Sequence, residues 1–133
     1  MIHLVLVTHH NLAVSFLETV QMIAGKELTK NISTVCMDYG KDPEVFINEA
    51  KEIIDKYPDD EFLVFADLYG ASPCNTMCMA LRGKKYRIVT GLNLGMCLDV
   101  LFKLENASLE DLSRDMEQTG KNGVQVVYIP DCQ

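Results

Sequence analysis

The stretch MIHLVLVTHHNL, residues 1–12, decides how the rest of the chain is read. From Ile2 to Val7 it is apolar at consecutive positions, interrupted only by His3. A strand with one covered face alternates apolar and polar residues. A run apolar on both faces belongs to a strand with helices packed on either side, as in parallel sheets. The run ends at Thr8 and delivers two adjacent imidazoles, His9 and His10. Helical spacing then begins at once, with Leu12, Phe16, Val20 and Ile23 on the expected apolar face and Gly25 as a stop. His3, inside the strand, is expected to be a structural or edge histidine.

The same alternation continues outward. NISTVCMD (31–38) reads as a short strand, and KDPEVFINEAKEIIDKY (41–57) as a helix with Asp42 as N-cap and Pro43 in its first turn. Its apolar face is Val45, Phe46, Ala50, Ile53 and Ile54. EFLVFADL (61–68) is a third strand, apolar throughout, followed by a glycine turn and a helix in YGASPCNTMCMAL (69–81), with Ser72 as the expected N-cap. YRIVTGLN (86–93) is a fourth strand and LGMCLDVLFKLE (94–105) the next helix. Ser108 and Asp111 resemble a capping box for a helix stopping at Gly120. GVQVVYIP (123–130) reads as a fifth strand. No linker, repeat or low-complexity tract interrupts the series.

The expected fold class is therefore α/β: a doubly wound, mostly parallel open sheet with helices on both faces. The commonest small order, 2-1-3-4, is expected, with the last strand at the edge, in a single domain spanning residues 1–133. Such sheets bind ligands at the carboxyl ends of the strands, where the strand order reverses.

Composition limits the function. Twelve basic and 19 acidic residues give a net charge of -7, which argues against a nucleic-acid or anionic-membrane surface. Five cysteines, an odd number at irregular spacing, do not form a disulfide framework and suit a reduced, cytoplasmic protein. The first residues lack the basic region of a signal peptide, and no apolar run is long enough to span a bilayer. The chain has no phosphate-binding G-x-x-x-x-G-K-[ST], no dinucleotide G-x-G-x-x-G after the first strand and no G-x-S-x-G nucleophile elbow. No cofactor and no metal are expected. Cys74 and Cys78, four apart on one helix, have no further ligands nearby in sequence. Met77, Met79 and Met96 suit core or contact surface better than ligation.

Three loops share one edge of such a sheet: Thr8–His10, Asp67–Ser72 and Gly91–Met96. If the first and third strands are neighbours, a histidine and Asp67 face each other. A carboxylate on one ring nitrogen fixes the tautomer and leaves the other lone pair free for nucleophilic work. The turn through Gly70, Ala71 and Ser72 leads into a helix N-terminus, whose free amides suit an anion. Together these describe a histidine that receives a phosphoryl group. Each part also has a plainer reading: a strand-end histidine is often a surface residue, a strand-end carboxylate often a cap, and Ser-Pro an ordinary helix start.

Three motifs in register, VTHHNLA, FADLYGASPCN and TGLNLGM, resemble those of the mannose-family IIA components of the bacterial sugar phosphotransferase system. The resemblance spans essentially the whole chain. It implies that His9 carries phosphate on Nε2 and that Asp67 bonds the other ring nitrogen. It implies that Gly70, Ala71 and Ser72 cradle the phosphate, and that Thr8, His10, Asn93 and Met96 line the site. It further implies the carrier protein HPr as phosphoryl donor, a IIB component as acceptor, membrane IIC and IID components acting indirectly, and a homodimer with the last strand at the subunit boundary. Two further readings share these residues: the phosphotransferase subunit of a dihydroxyacetone kinase, and a regulatory domain switched by histidine phosphorylation. The chain departs from the family pattern at His10 and Ala71, where glycines are usual, and at Gly95, where proline is usual.

Overall fold

The computed structural model describes residues 1–38 and 40–132. Four parallel strands lie in the order β2-β1-β3-β4. They are β1 (Ile2–His9), β2 (Ser33–Met37), β3 (Glu61–Ala66) and β4 (Tyr86–Thr90). In register, Thr8 of β1 stands beside Cys36 of β2, and Val7 beside Ala66 of β3. β1 and β3 are therefore neighbours, and the chain winds outward from between them in both directions. Their carboxyl ends form the switch point.

The helices are α1 (Leu12–Ala24), α2 (Lys26–Thr29), α3 (Pro43–Asp55), α4 (Ser72–Ala80), α5 (Leu94–Val100), α6 (Leu109–Asn122) and α7 (Ile129–Cys132). Alternate strand residues feed two cores. Leu4, Leu6, Leu63 and Phe65 pack with Val20, Met96, Val100 and Leu112 from α1, α5 and α6. Val5, Val7, Phe62, Val64 and Ala66 pack with Phe46, Ala50 and Met77 from α3 and α4. This is why the strand sequences are apolar on both faces. Each fully buried Leu or Phe contributes about 1.5–3 kcal/mol relative to exposure.

Local signals set several boundaries as expected. The Asp42 side chain accepts from the Glu44 amide at 3.0 Å ahead of Pro43, and Ser108 accepts from the Asp111 amide at 3.1 Å. Other expectations are corrected. The buried residues of α1 are Ala13 and Val20, with Phe16 and Leu17 partly buried, whereas Leu12 and Ile23 are exposed. The buried Thr8 hydroxyl accepts from the Ala13 amide at 2.8 Å and ties the start of this helix to the end of β1. On α3, Val45 is exposed while Phe46, Ala50 and Ile54 are buried. The N-cap of α4 is Ala71, not Ser72, and no side chain caps that end. α5 stops at Val100 and gives way to turns, and α6 runs past Gly120 to Asn122.

The largest correction is the fifth strand. Residues 124–128 have no regular structure, and 129–132 form the short α7. Val124, Val126, Val127, Tyr128 and Ile129 are all exposed. A strand exists only when another backbone satisfies its amides and carbonyls, and within this chain the segment pairs with none of the four strands.

Candidate active site

β1 ends at His9 and β3 one residue before Asp67, so the parallel register of the two strands brings these side chains together. The His9 amide donates to Asp67 Oδ2 at 2.9 Å, and His9 Nδ1 meets the same oxygen at 2.8 Å. The other carboxylate oxygen, Oδ1, accepts from the Leu68 amide at 2.9 Å. Partial burial pushes the Asp67 carboxyl up, but the His9 amide, the His9 ring and the Leu68 amide outweigh it and hold the group below its ordinary 3.8. An ionised carboxylate can only accept, so the shared proton sits on His9 Nδ1. In the neutral ring the lone pair is then on Nε2. The His9 side chain is 46% exposed against 11% for Asp67, so the carboxylate is sheltered and the ring is open to solvent.

The turn after Asp67 leads directly to α4. Gly70 has φ +69°, a left-handed conformation that favours glycine. Its carbonyl accepts from Asn75 Nδ2 at 3.2 Å, which ties the turn to the first turn of the helix. With Ala71 as N-cap and no side-chain cap, the amides at this end are free to meet an anion. Leu68 and Tyr69 of the same turn are strongly exposed.

A family model described as the PTS system fructose IIA component matches residues 3–117. The chain belongs to this EIIA-man family. Membership makes it a IIA component of the sugar phosphotransferase system, with a role in phosphoryl transfer. The sorbose-specific EIIA component of Klebsiella pneumoniae is 25% identical over 118 residues, covering 88% of this chain and 85% of that one. Among solved structures, the mannose/sorbose specific IIA subunit from Enterococcus faecalis is 27% identical, with a TM-score of 0.87 and 96% of each chain covered. The phosphotransferase component EIIA from Streptococcus agalactiae shares the fold, with a TM-score of 0.78 at 23% identity, over 95% of this chain and 97% of that one.

The geometry accounts for two of the departures of this IIA chain from its family's pattern. His10 has φ +50°, so the position after His9 is left-handed. Glycine takes that conformation without cost, and histidine is among the side chains that tolerate it. Ala71 has φ -84°, where alanine is unstrained; only the preceding Gly70 needs a glycine.

The remaining expected site residues of the IIA chain have structural partners. Thr8 is fully buried and holds the start of α1. Asn93 caps α5 through a 3.1 Å bond from the Met96 amide, and its Nδ2 donates to the Gly120 carbonyl at 2.9 Å. Met96 is buried against α6. Asn93 and Met96 also border a groove of about 1080 Å³ along the outer edge of β4, lined among others by Cys78, Tyr86, Arg87 and Lys121. His9 and Asp67 lie outside that groove. His10 turns away from Asp67: its Nδ1 stands 3.3 Å from Asp38 Oδ1, on the β2 side of the strand end. Asp38 was not singled out in the sequence. The signal was its position, directly after the second strand as Asp67 is after the third. No cluster of three or more His, Cys, Asp or Glu among the described residues can hold a metal ion. No helix among them is long and apolar enough to cross a membrane.

Proposed function

We propose that the chain is a single IIA domain acting in the cytoplasm, and that His9 is its phosphoryl acceptor, charged by phospho-HPr and discharged to a IIB component that serves membrane IIC and IID partners. The observation that carries this reading is the double hold of Asp67 Oδ2 on the amide and ring of His9, which presents Nε2 to solvent. In the transfer, the P–N bond of the donor breaks as the bond from Nε2 to phosphorus forms. The Nδ1 proton stays against Asp67, and the positive charge gained by the ring is balanced by that carboxylate. The amides of Gly70, Ala71 and Ser72 stand in the turn that supplies donors to the phosphoryl oxygens. Preorganised donors of this kind are worth about 3–4 kcal/mol where charge develops.

Incubation with phosphoenolpyruvate, enzyme I and HPr is expected to place one acid-labile phosphate on His9. Label that survives His9→Ala overturns the assignment. Onward transfer to a IIB protein separates a relay component from a regulatory domain that is merely labelled, and transfer to the nucleotide-bearing subunit of a dihydroxyacetone kinase points instead to that system.

A homodimer belongs to the same reading. The exposed apolar run Val124–Ile129 has no partner strand among the described residues, and β4 borders an open groove rather than a fifth strand. An extended segment added to a free sheet edge gains backbone hydrogen bonds and buries its apolar side chains. Removal of residues 124–133 is expected to convert a dimer to monomers in sedimentation velocity; an unchanged dimer places the interface elsewhere.

A further inference from the structure

β1 ends at His9, and His9 and the turn residue His10 diverge to opposite flanks, each toward a carboxylate. His9 faces Asp67 beyond β3, and His10 faces Asp38 beyond β2. Only the first pair is accounted for by phosphoryl acceptance. The second is built at a position where a side chain is disfavoured. His10 has φ +50°, and it is the only residue other than glycine with positive φ among those described. Glycine would occupy that conformation freely, so the imidazole is retained against a backbone preference.

Two contacts hold it there. The His10 amide donates to the Met37 carbonyl at 2.8 Å, which extends the β1–β2 ladder one residue past the strand. The ring nitrogen stands at ion-pair distance from Asp38 Oδ1, a buried oxygen with no hydrogen bond among the described residues. Lys41 lies 3.9 Å from the other Asp38 oxygen and is itself bound to Glu49 and to the Cys36 carbonyl. Lys41 therefore braces the β2–α3 loop, and His10 ties the β1–α1 turn to it.

The consequence falls on His9. His9 is tied on one flank by its own amide and ring to Asp67. On the other flank the next residue ties the strand end to β2, the His10 amide donating to the Met37 carbonyl and its ring facing Asp38. We propose that His10, clasped to Asp38, is a positioning residue that locks the left-handed turn and so holds the His9 ring in line for phosphoryl transfer. The clasp acts through orientation, with the His10 ring nitrogen facing Asp38 on the β2 side of the strand end. Its meaning rests on His9 being the phosphoryl acceptor.

The test is His10→Gly, which suits the backbone better than the native residue and removes only the clasp. Its melting temperature is expected to equal or exceed that of the native protein. Its single-turnover rate with phospho-HPr is expected to fall about twofold to fivefold, the range of an exposed side-chain pair acting on a rate, with the HPr concentration for half-maximal rate unchanged. Asp38→Ala should give the same fall, and the double variant no further fall. His10→Asn, which tolerates the left-handed turn and can donate to Asp38, should recover most of the rate. In the unphosphorylated protein, the His9 Nδ1 proton resonance should broaden or shift in His10→Gly and return in His10→Asn. A native rate and an unmoved His9 resonance in His10→Gly overturn the proposal while leaving His9 as acceptor. Failure of the native protein to label at His9 instead overturns the function on which it rests.

Discussion

His3 and His9 occupy the same strand and the same face of it, yet the fold makes them opposites. His3 lies at the amino end of β1, is 3% exposed, stacks on Tyr57 with ring centroids 3.8 Å apart and has Nε2 2.8 Å from the Ser33 hydroxyl. Burial drives its pKa below the ordinary 6.5, against a weaker upward pull from Asp60. His9 lies at the carboxyl end, half open to solvent and bound to an ionised carboxylate. In a parallel sheet the amino ends of the strands are sealed, while the carboxyl ends at a switch point splay their loops apart. One imidazole is thus kept neutral as a core ring, and the other is left open to solvent against a carboxylate, as the proposed phosphoryl acceptor must be. Position in the winding, rather than residue type, separates them.

The sharpest way to break the contrast is to remove the carboxylate. Asp67→Asn keeps the shape of the side chain and can still accept from the His9 amide, but it no longer balances the charge of the ring or enforces a proton on Nδ1. Phosphoryl transfer to His9 is expected to slow by about 10²–10⁴-fold, as for loss of a positioned acid–base partner. Rapid-quench labelling with phospho-HPr measures this directly, and an unchanged rate would reduce Asp67 to a cap on the β3–α4 turn.

The same contrast explains what could be read from the sequence. The alternation of strands and helices follows from consecutive apolar runs that each end in a polar group. The adjacency of β1 and β3 rests instead on the commonest order of such sheets, and the choice of His9 as the partner of Asp67 on the resemblance to the IIA family. The caps at Asp42 and Ser108 were legible because a cap is decided within three residues. The buried face of α1 was not, because Leu12, Phe16, Val20 and Ile23 share helical spacing with Ala13 and Leu17, and packing on the sheet decides which of them are covered. The left-handed turn at His10 was hidden because histidine does not announce positive φ as glycine does. Nor did the sequence disclose the Asp38 contact, since His10 and Asp38 meet only through the register of β1 with β2. The fifth strand was misread because an apolar segment specifies that it must be covered, not which backbone covers it.

The smallest effect is expected at the other histidine, and it should appear as a pH slope rather than as lost activity. His3→Phe keeps an aromatic ring to stack on Tyr57 but leaves the Ser33 hydroxyl without its partner, a loss of about 0.5–1.5 kcal/mol for one hydrogen bond. Phosphoryl transfer should be unaffected. In the native protein the folded-state pKa of His3 is depressed, so below the ordinary 6.5 the unfolded chain takes up the proton first. The stability that neutral His3 contributes is therefore fully present above about 6.5 and lost as the pH falls through that value to the lower native pKa. His3→Phe carries no such proton, so denaturant midpoints of the two proteins should converge as the pH is lowered from 7.5 to 5. Parallel pH profiles would mean that His3 titrates alike in both states, and that the sealed end of β1 is as open to protons as the end that carries His9.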